Sequence, residues 1–296
     1  RNDVLKNTSL TTIAHLGPHA FAEIGGEVVN VTLFSMKEAA PSPMHRLVGL
    51  RLVGPKSPLE KEVLLRKALA GEATKVVSTP LQAGFLEILE TPFVYWLRPK
   101  FLDLLRSGRR LASIAPVKKG SFTGDNDRFI RYWWECPIGK SDWVPLAKGG
   151  GYSKWCGLDH FIVYWANDGA LIKAHPAAGI RNPDYFFRRG LTYSLVASGS
   201  LGVRELKPDH LYDDVSPSIF PAEADARFVE GLLNTRVPSL LTRTVSQGPK
   251  FRGGYVSNLP LPSGKLPMIA SLAKNCVALK GWLVSCDPTD RTFEGH

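Results

Sequence analysis

The residues whose types and spacing best suit chemistry lie in one run, Gly120-Ser121-Phe122-Thr123-Gly124-Asp125-Asn126-Asp127-Arg128-Phe129-Ile130-Arg131-Tyr132-Trp133-Trp134. It reads as a Gly-bounded polar loop entering an aromatic strand. Thr123, Gly124 and Asn126 suit a tight turn with free backbone N–H groups, while Asp125 and Asp127 temper the neighbouring Lys and Arg. Arg128 and Arg131 follow at strand spacing, close enough to brace phosphates. The set suits the holding of anions along a nucleic-acid backbone. It equally suits a surface turn ahead of a core strand.

A second run, Lys148-Gly149-Gly150-Gly151-Tyr152-Ser153-Lys154-Trp155, points the same way. Gly149 and Gly150 let backbone approach a phosphate, and Lys148, Tyr152 and Lys154 supply donors. A flexible glycine turn is the competing use. Farther on, Arg188, Arg189 and Arg204 suit either bidentate reading of guanine edges or a phosphate clamp. Arg243, Lys250 and Arg252 offer further phosphate contacts.

The elements that must hold these runs come from a chain of 296 residues, 44% of them hydrophobic, enough to bury at least one large core and to form two domains. Its net charge of +10 and pI near 9.5 favour an acidic partner. Residues 98–154 hold 12 Lys/Arg against 5 Asp/Glu, so much of the excess surrounds the first run. Five of the seven tryptophans lie between Trp133 and Trp165, interleaving flat rings with cations.

Segments 13–17 and 26–36 read as strands joined by a tight connection, and 46–53 as a further strand. Ser57-Pro58-Leu59-Glu60 is a capping box opening a helix that ends at Gly71. A second helix is signalled at Thr91-Pro92, broken or kinked at Pro99, and runs to Gly108. Phe161 to Gly169 reads as a strand ending in an Asn-Asp-Gly turn. Helices are expected over 222–233, 239–245 and 267–283, the last with Ile269, Leu272, Cys276, Leu279 and Leu283 at helical spacing.

The Thr-Gly-x-Asn-x-x-Phe core of the first run resembles the loop that opens the target-recognition domain of large adenine-specific DNA methyltransferases, above all the PglX group of BREX phage-defence systems. The resemblance extends through Arg131-Tyr132-Trp133-Trp134-Glu135, the Lys-Gly-Gly-x-Tyr-x-Lys-Trp run, the Val-x-Trp-x-Asn-x-Gly of 163–169, Asp184 to Ser194, Tyr212-Asp213, Ser216 to Pro221 and Leu259-Pro260-Leu261-Pro262. It implies that 1–116 is the C-terminal portion of the methyltransferase domain, 117–262 a DNA-binding target-recognition domain, and 263–296 a truncated helical tail. The implied fold is mixed α/β (α+β): the end of a Rossmann-like methyltransferase sheet, then a sheet-rich reader and a C-terminal helix. Phe21 takes, by position, the role of the aromatic residue that stacks on a flipped adenine.

The family's Gly-rich S-adenosylmethionine loop and its Asn-Pro-Pro-Tyr catalytic turn have no match here. Asn182-Pro183-Asp184-Tyr185 has Asp184 where the second Pro belongs, and Gly139-Lys140-Ser141 lacks the upstream Gly of a phosphate-binding loop. The resemblance therefore places cofactor and catalytic turn upstream of Arg1 in an intact enzyme, with no cofactor expected on this chain alone.

Cys136, Cys156, Cys276 and Cys286 form no Cys-x-x-Cys pair, which argues against zinc and suits a reducing cytoplasm. No Ser-His-Asp or paired-carboxylate pattern supports a hydrolase, and no nuclease carboxylate cluster supports a fused restriction activity. No apolar run reaches the ~18 residues of a membrane span. The expectation is thus a fragment of a site-specific DNA adenine-N6 methyltransferase in a restriction-modification or BREX setting, with double-stranded DNA and other phage-defence proteins as partners. The alternatives are a stand-alone DNA-binding specificity module and a protein-interaction scaffold.

Overall fold

Strand β1 (Ser9–Gly17) is enclosed on both sides, and this sets the architecture of the first unit. Leu10 and Ile13 join Leu5, Leu47, Phe85 and Tyr95 in one core, whereas Ala14 joins Leu50, Leu52 and Ala68 in another. Around it, β2 (Val31–Lys37) pairs antiparallel, β3 (Val48–Arg51) parallel, and β4 (Val77–Ser78) closes on β3 antiparallel. The sheet order is β2-β1-β3-β4. Short helices α1 (Asn2–Asn7) and α3 (Ala83–Leu86) flank it, with α2 (Pro58–Leu69) and α4 (Pro99–Arg106). This is a computed structural model, which describes residues 2–23, 29–88, 93–97, 99–106, 108–136, 142–246, 249–264 and 267–294. It divides into two units, Arg1–Ser107 and Gly108–His296. The division falls ahead of the 116/117 boundary expected from sequence, and residues 263–296 lie in the second unit.

Ser57 caps α2, its hydroxyl accepting from Glu60 N at 3.3 Å, while Glu60 reaches back to Lys56 N at 3.0 Å. Pro99 is a helix start, not the expected kink, because a first-turn position needs no N–H. The expected signal at Thr91-Pro92 lies outside the described residues, as does the start of the 26–36 strand. The C-terminal ends of the parallel strands β1 and β3 are filled by Lys61. Its ammonium donates to the carbonyls of Leu16, Leu52 and Pro55 at 2.7, 2.9 and 2.8 Å.

The second unit carries two four-stranded sheets. One joins β5 (Val117–Lys118), β9 (Gly190–Tyr193), β10 (Val203–Leu206) and β12 (Ser218–Ile219) in the order β10-β9-β12-β5. The other joins β6 (Ile130–Tyr132), β7 (Trp143–Ala147), β8 (Phe161–Tyr164) and β11 (Leu211–Tyr212) in the order β11-β7-β8-β6. Helices α5 (Asn126–Phe129) and α6 (Ala166–Lys173) sit at the ends of the second sheet; α7 (Glu223–Leu233), α8 (Arg236–Ser246), α9 (Gly253–Ser257) and α10 (Pro267–Ser285) follow. The chain is therefore mixed α/β.

Asn167, Asp168 and Gly169 form the turn expected after β8, and their φ angles of 49°, 56° and 71° make it left-handed, at the start of α6. The apolar spacing of 267–283 does make a helix, but much of the expected stripe faces solvent, with Leu272, Leu279 and Leu283 at 55%, 68% and 55% exposure. Of that stripe Ile269 does pack, and with Ala273, which the stripe did not include, it fits α7 where Gly231 leaves room for them.

Candidate nucleic-acid interface

The first run does not enter a strand directly. Asp125 caps a single helical turn, accepting from Arg128 N at 3.0 Å, and Phe129 at its end drops into the core between Ile130, Val163 and Ile172. Part of the expected free N–H set is thus satisfied within the turn. Thr123 is buried and donates to Asn126 Oδ1 at 2.9 Å. Gly124 has φ +76°, and a Cβ there would meet His175 and the Ala177–Ala178 backbone at 2.6–2.7 Å, so no other residue fits.

Arg128 is exposed on this turn, its guanidinium 4.9 Å from the Phe129 ring. Arg131, on β6, is not at strand spacing from it and turns inward. Its Nη1 donates to the carbonyls of Asp127 and Ile130.

The loop lies beside a segment sixty residues on. Phe122 and Gly179 exchange backbone hydrogen bonds of 3.1 and 3.0 Å, Arg181 N donates to Ser121 Oγ at 2.9 Å, and Asn182 Nδ2 donates to Lys119 O at 2.8 Å. This pairing gathers cations and rings that the sequence reading left apart. Lys118 and Arg188 stand over the same Tyr185 ring at 4.8 and 5.5 Å, and Arg181 lies 4.9 Å from Phe122. Arg188 and Arg189 are both exposed.

The glycine run ends differently. Lys148 Nζ lies 3.2 Å from Asp213 Oδ2, and Gly149 N and Val215 N donate to Asp213 Oδ1 at 3.3 and 3.1 Å. Burial pushes the Asp213 carboxyl up, and Lys148 and Gly149 pull it back. Gly150 offers its carbonyl to Ser194 Oγ at 3.4 Å. The exposed Tyr152 shares a 2.7 Å hydrogen bond with Ser200, and Lys154 donates to Asn234 O at 2.7 Å, at the C-terminal end of α7.

Thr123, Asn126, Lys148 and Asp213 meet at the polar side of a cavity of about 150 Å³ whose remaining wall includes Phe122, Trp165 and Phe186. Both sequence runs therefore converge on one place through Asp213, a residue with no basic or glycine signal of its own.

Arg204 is not available to a groove. It is 2% exposed, burial pushes its guanidinium down to about 10, and Asp213 and Asp159 pull the other way. Arg243 is turned to the carbonyls of Ala197 and Gly199. In the first unit, Phe21 sits in a bend with 49% of its surface exposed. Among the described residues no group of His, Cys, Asp and Glu could hold a metal ion, the four cysteines are unpaired, and no helix is long and apolar enough to cross a membrane.

No family model matches the chain. Two curated proteins do. The adenine-specific methyltransferase PglX of Lacticaseibacillus casei (strain Zhang) is 29% identical over 91% of this chain and 24% of its own length. The adenine-specific methyltransferase BrxX of Escherichia coli O9:H4 (strain HS) is 31% identical over 88% of this chain and 22% of its own length. The Type IIL restriction-modification enzyme MmeI, solved in complex with DNA, aligns with a TM-score of 0.49 and 10% identity, covering 97% of this chain and 41% of that one. The chain spans about a quarter of the curated relatives it matches, and over that span it is PglX-like.

Proposed function

We propose that this chain is the DNA-clamping and target-recognition part of a site-specific DNA adenine-N6 methyltransferase of a BREX-type phage-defence system. The observation that carries the reading is the similarity to PglX and BrxX, which runs through 91% and 88% of the chain. In this reading the first unit is the end of the catalytic domain and the second is the reader. The cations divide by task. Arg128, exposed on the turn that follows Thr123, and Arg188 and Arg189, exposed near Tyr185, contact phosphates. Arg131 holds the backbone that carries Arg128, Lys148 and Gly149 hold Asp213, Lys154 holds the end of α7, Gly150 accepts from Ser194, and Tyr152 stays exposed. Phe21, with its ring half in solvent, stacks on the flipped adenine.

S-adenosylmethionine belongs to the intact enzyme. The place where parallel strands most often hold such a ligand is occupied here by the Lys61 ammonium, so no transfer step is assigned to this chain. Its setting is the cytoplasm, with double-stranded DNA and other defence proteins as partners.

Fluorescence anisotropy with a mixed-sequence duplex across a salt series tests the reading. Affinity should fall steeply with salt, as condensed counterions leave several phosphates. Absence of binding at low salt would remove the autonomous reader. The scaffold reading has one observation in its favour, the solvent-facing stripe of Met268, Leu272, Leu279 and Trp282 on α10.

A further inference from the structure

The aromatic run that ends β6 does not fold into the core. Tyr132 stacks on Phe161 of the neighbouring β8, with centroids 4.9 Å apart and planes 26° apart, and Trp134 stacks on Tyr132 at 4.6 Å and 8°. The three rings make a column rooted on the sheet. Its turn is fixed from several directions. Glu135 Oε2 accepts from Tyr132 N at 2.7 Å, Trp133 N donates to His160 O at 2.9 Å, and Trp133 Nε1 donates to Thr289 O at 3.0 Å. Trp133 also meets Trp134 edgewise, at 84°.

Trp134 nonetheless keeps 49% of its surface exposed and Tyr132 42%. An indole covered on one face by Tyr132 that stays half exposed is open on the other. Burial of a ring this large would be favourable, so a column held rigidly in solvent forgoes that gain. Rigidity suits a receptor, because the rings lose little freedom when something stacks on them. The chain as a whole carries a net charge of +10, and the acid in the column's own turn, Glu135, is bonded to its backbone. A nucleobase fits this chemistry: it has a π face, and its phosphate is drawn to a basic chain. Inside a duplex both faces of a base are already stacked, so along the helix the open indole can serve a base that has left the stack.

We propose that Phe161, Tyr132 and Trp134 form a stacking platform that receives one unpaired nucleobase of bound DNA on the outer face of Trp134. The proposal rests on the DNA-binding reading above. Because stacking tolerates any base, the platform holds a displaced nucleotide rather than reading sequence.

The test titrates the whole chain into two duplexes of one sequence, one perfect and one carrying a single bulged 2-aminopurine nucleotide. The bulged duplex should bind about tenfold more tightly, with quenching of 2-aminopurine fluorescence. Trp134→Ala, and Trp134→Leu which keeps apolar bulk over Tyr132, should abolish the preference and the quenching; Trp134→Phe should keep most of both. Equal preference for the two duplexes in the unaltered chain, or a preference that survives Trp134→Ala and Trp134→Leu, would overturn the platform while leaving the DNA reading intact. Failure to bind either duplex at low salt would remove the DNA reading and the platform with it.

Discussion

Lys148 and Arg188 come from similar sequence surroundings, a basic residue beside glycine and aromatic residues, and end in opposite circumstances. Lys148 is drawn onto the buried Asp213, with only 20% of its side chain exposed, whereas Arg188 lies over Tyr185 with its guanidinium in solvent. What separates them is the partner brought by β11, which ends one residue before Asp213 and pairs with β7, which ends one residue before Lys148. Local charge marks where cations are; the strand pairing decides which are left for a ligand.

The largest effect expected from this contrast is on stability. Lys148→Met leaves the Asp213 carboxylate, with 8% of its side chain exposed, without its cation. Urea unfolding should show a loss of about 3 kcal/mol, the usual result of breaking one side of a buried pair, and adding Asp213→Asn should recover part of it. Next comes the exposed set. Replacing Arg128, Arg188 and Arg189 together by Ala should leave stability within about 0.5 kcal/mol, yet lower the slope of log K against log salt by about 0.9 for each phosphate no longer neutralised. A flat stability result for Lys148→Met with a full loss of salt slope would break the comparison. A smaller effect should follow Lys154→Met, which removes the ammonium from the carbonyl of Asn234 at the end of α7. About 1 kcal/mol is expected in the same unfolding measurement.

The sequence made legible whatever is set within a few residues. The Ser57 cap, the helices over 223–233 and 267–285, and the second half of strand β1, from Ile13 to Gly17, all follow from spacing or capping chemistry. The two basic runs were legible as separate runs; that Lys148 of the second lines the same cavity as Thr123 and Asn126 of the first was not. What was not legible depends on partners distant in the chain. Arg204 reads as a groove cation because nothing nearby in sequence says that it is buried on β10 between Thr192 of β9 and Trp155, with Ser194 within hydrogen-bond reach. The outward face of α10 reads as core because its spacing is regular; only the room at Gly231 shows that the helix packs along Ile269 and Ala273. Asn167-Asp168-Gly169 is a turn signal in any setting, and its left-handed path into α6 is set by tertiary packing.

The same distance hides a buried ion network, and its pH dependence is the finest expected effect. His210, 5% exposed, lies 2.9 Å from Asp159 Oδ1 and 2.6 Å from Asp209 Oδ1; Arg291 reaches both carboxylates at 3.1 and 3.0 Å, tying the chain's last described segment to the sheet. Burial alone would lower the imidazole's pKa, but the bonds to Asp159 and Asp209 outweigh it and raise it above 6.5. Burial likewise pushes Asp159 up, and His210, Arg291 and Lys207 hold it well below the usual carboxylate range; the His210 bond holds Asp209 at about 2. A base whose folded pKa is raised contributes stability that is fully present below 6.5 and is lost as pH rises through the folded value. The two carboxylates, depressed in the folded state, contribute stability present above 3.8 and lost as pH falls toward their folded values. The urea midpoint of the unaltered chain should therefore decline on the alkaline side, with this histidine adding at most about 1.4 kcal/mol per pH unit to the slope. His210→Gln keeps a neutral hydrogen-bonding side chain and should remove that increment; it should also weaken the acid side, because His210 is the strongest influence holding both carboxylates down. An unchanged alkaline slope in His210→Gln would show that the imidazole is neutral between its two carboxylates, and that Arg291 and Lys207 alone neutralise them.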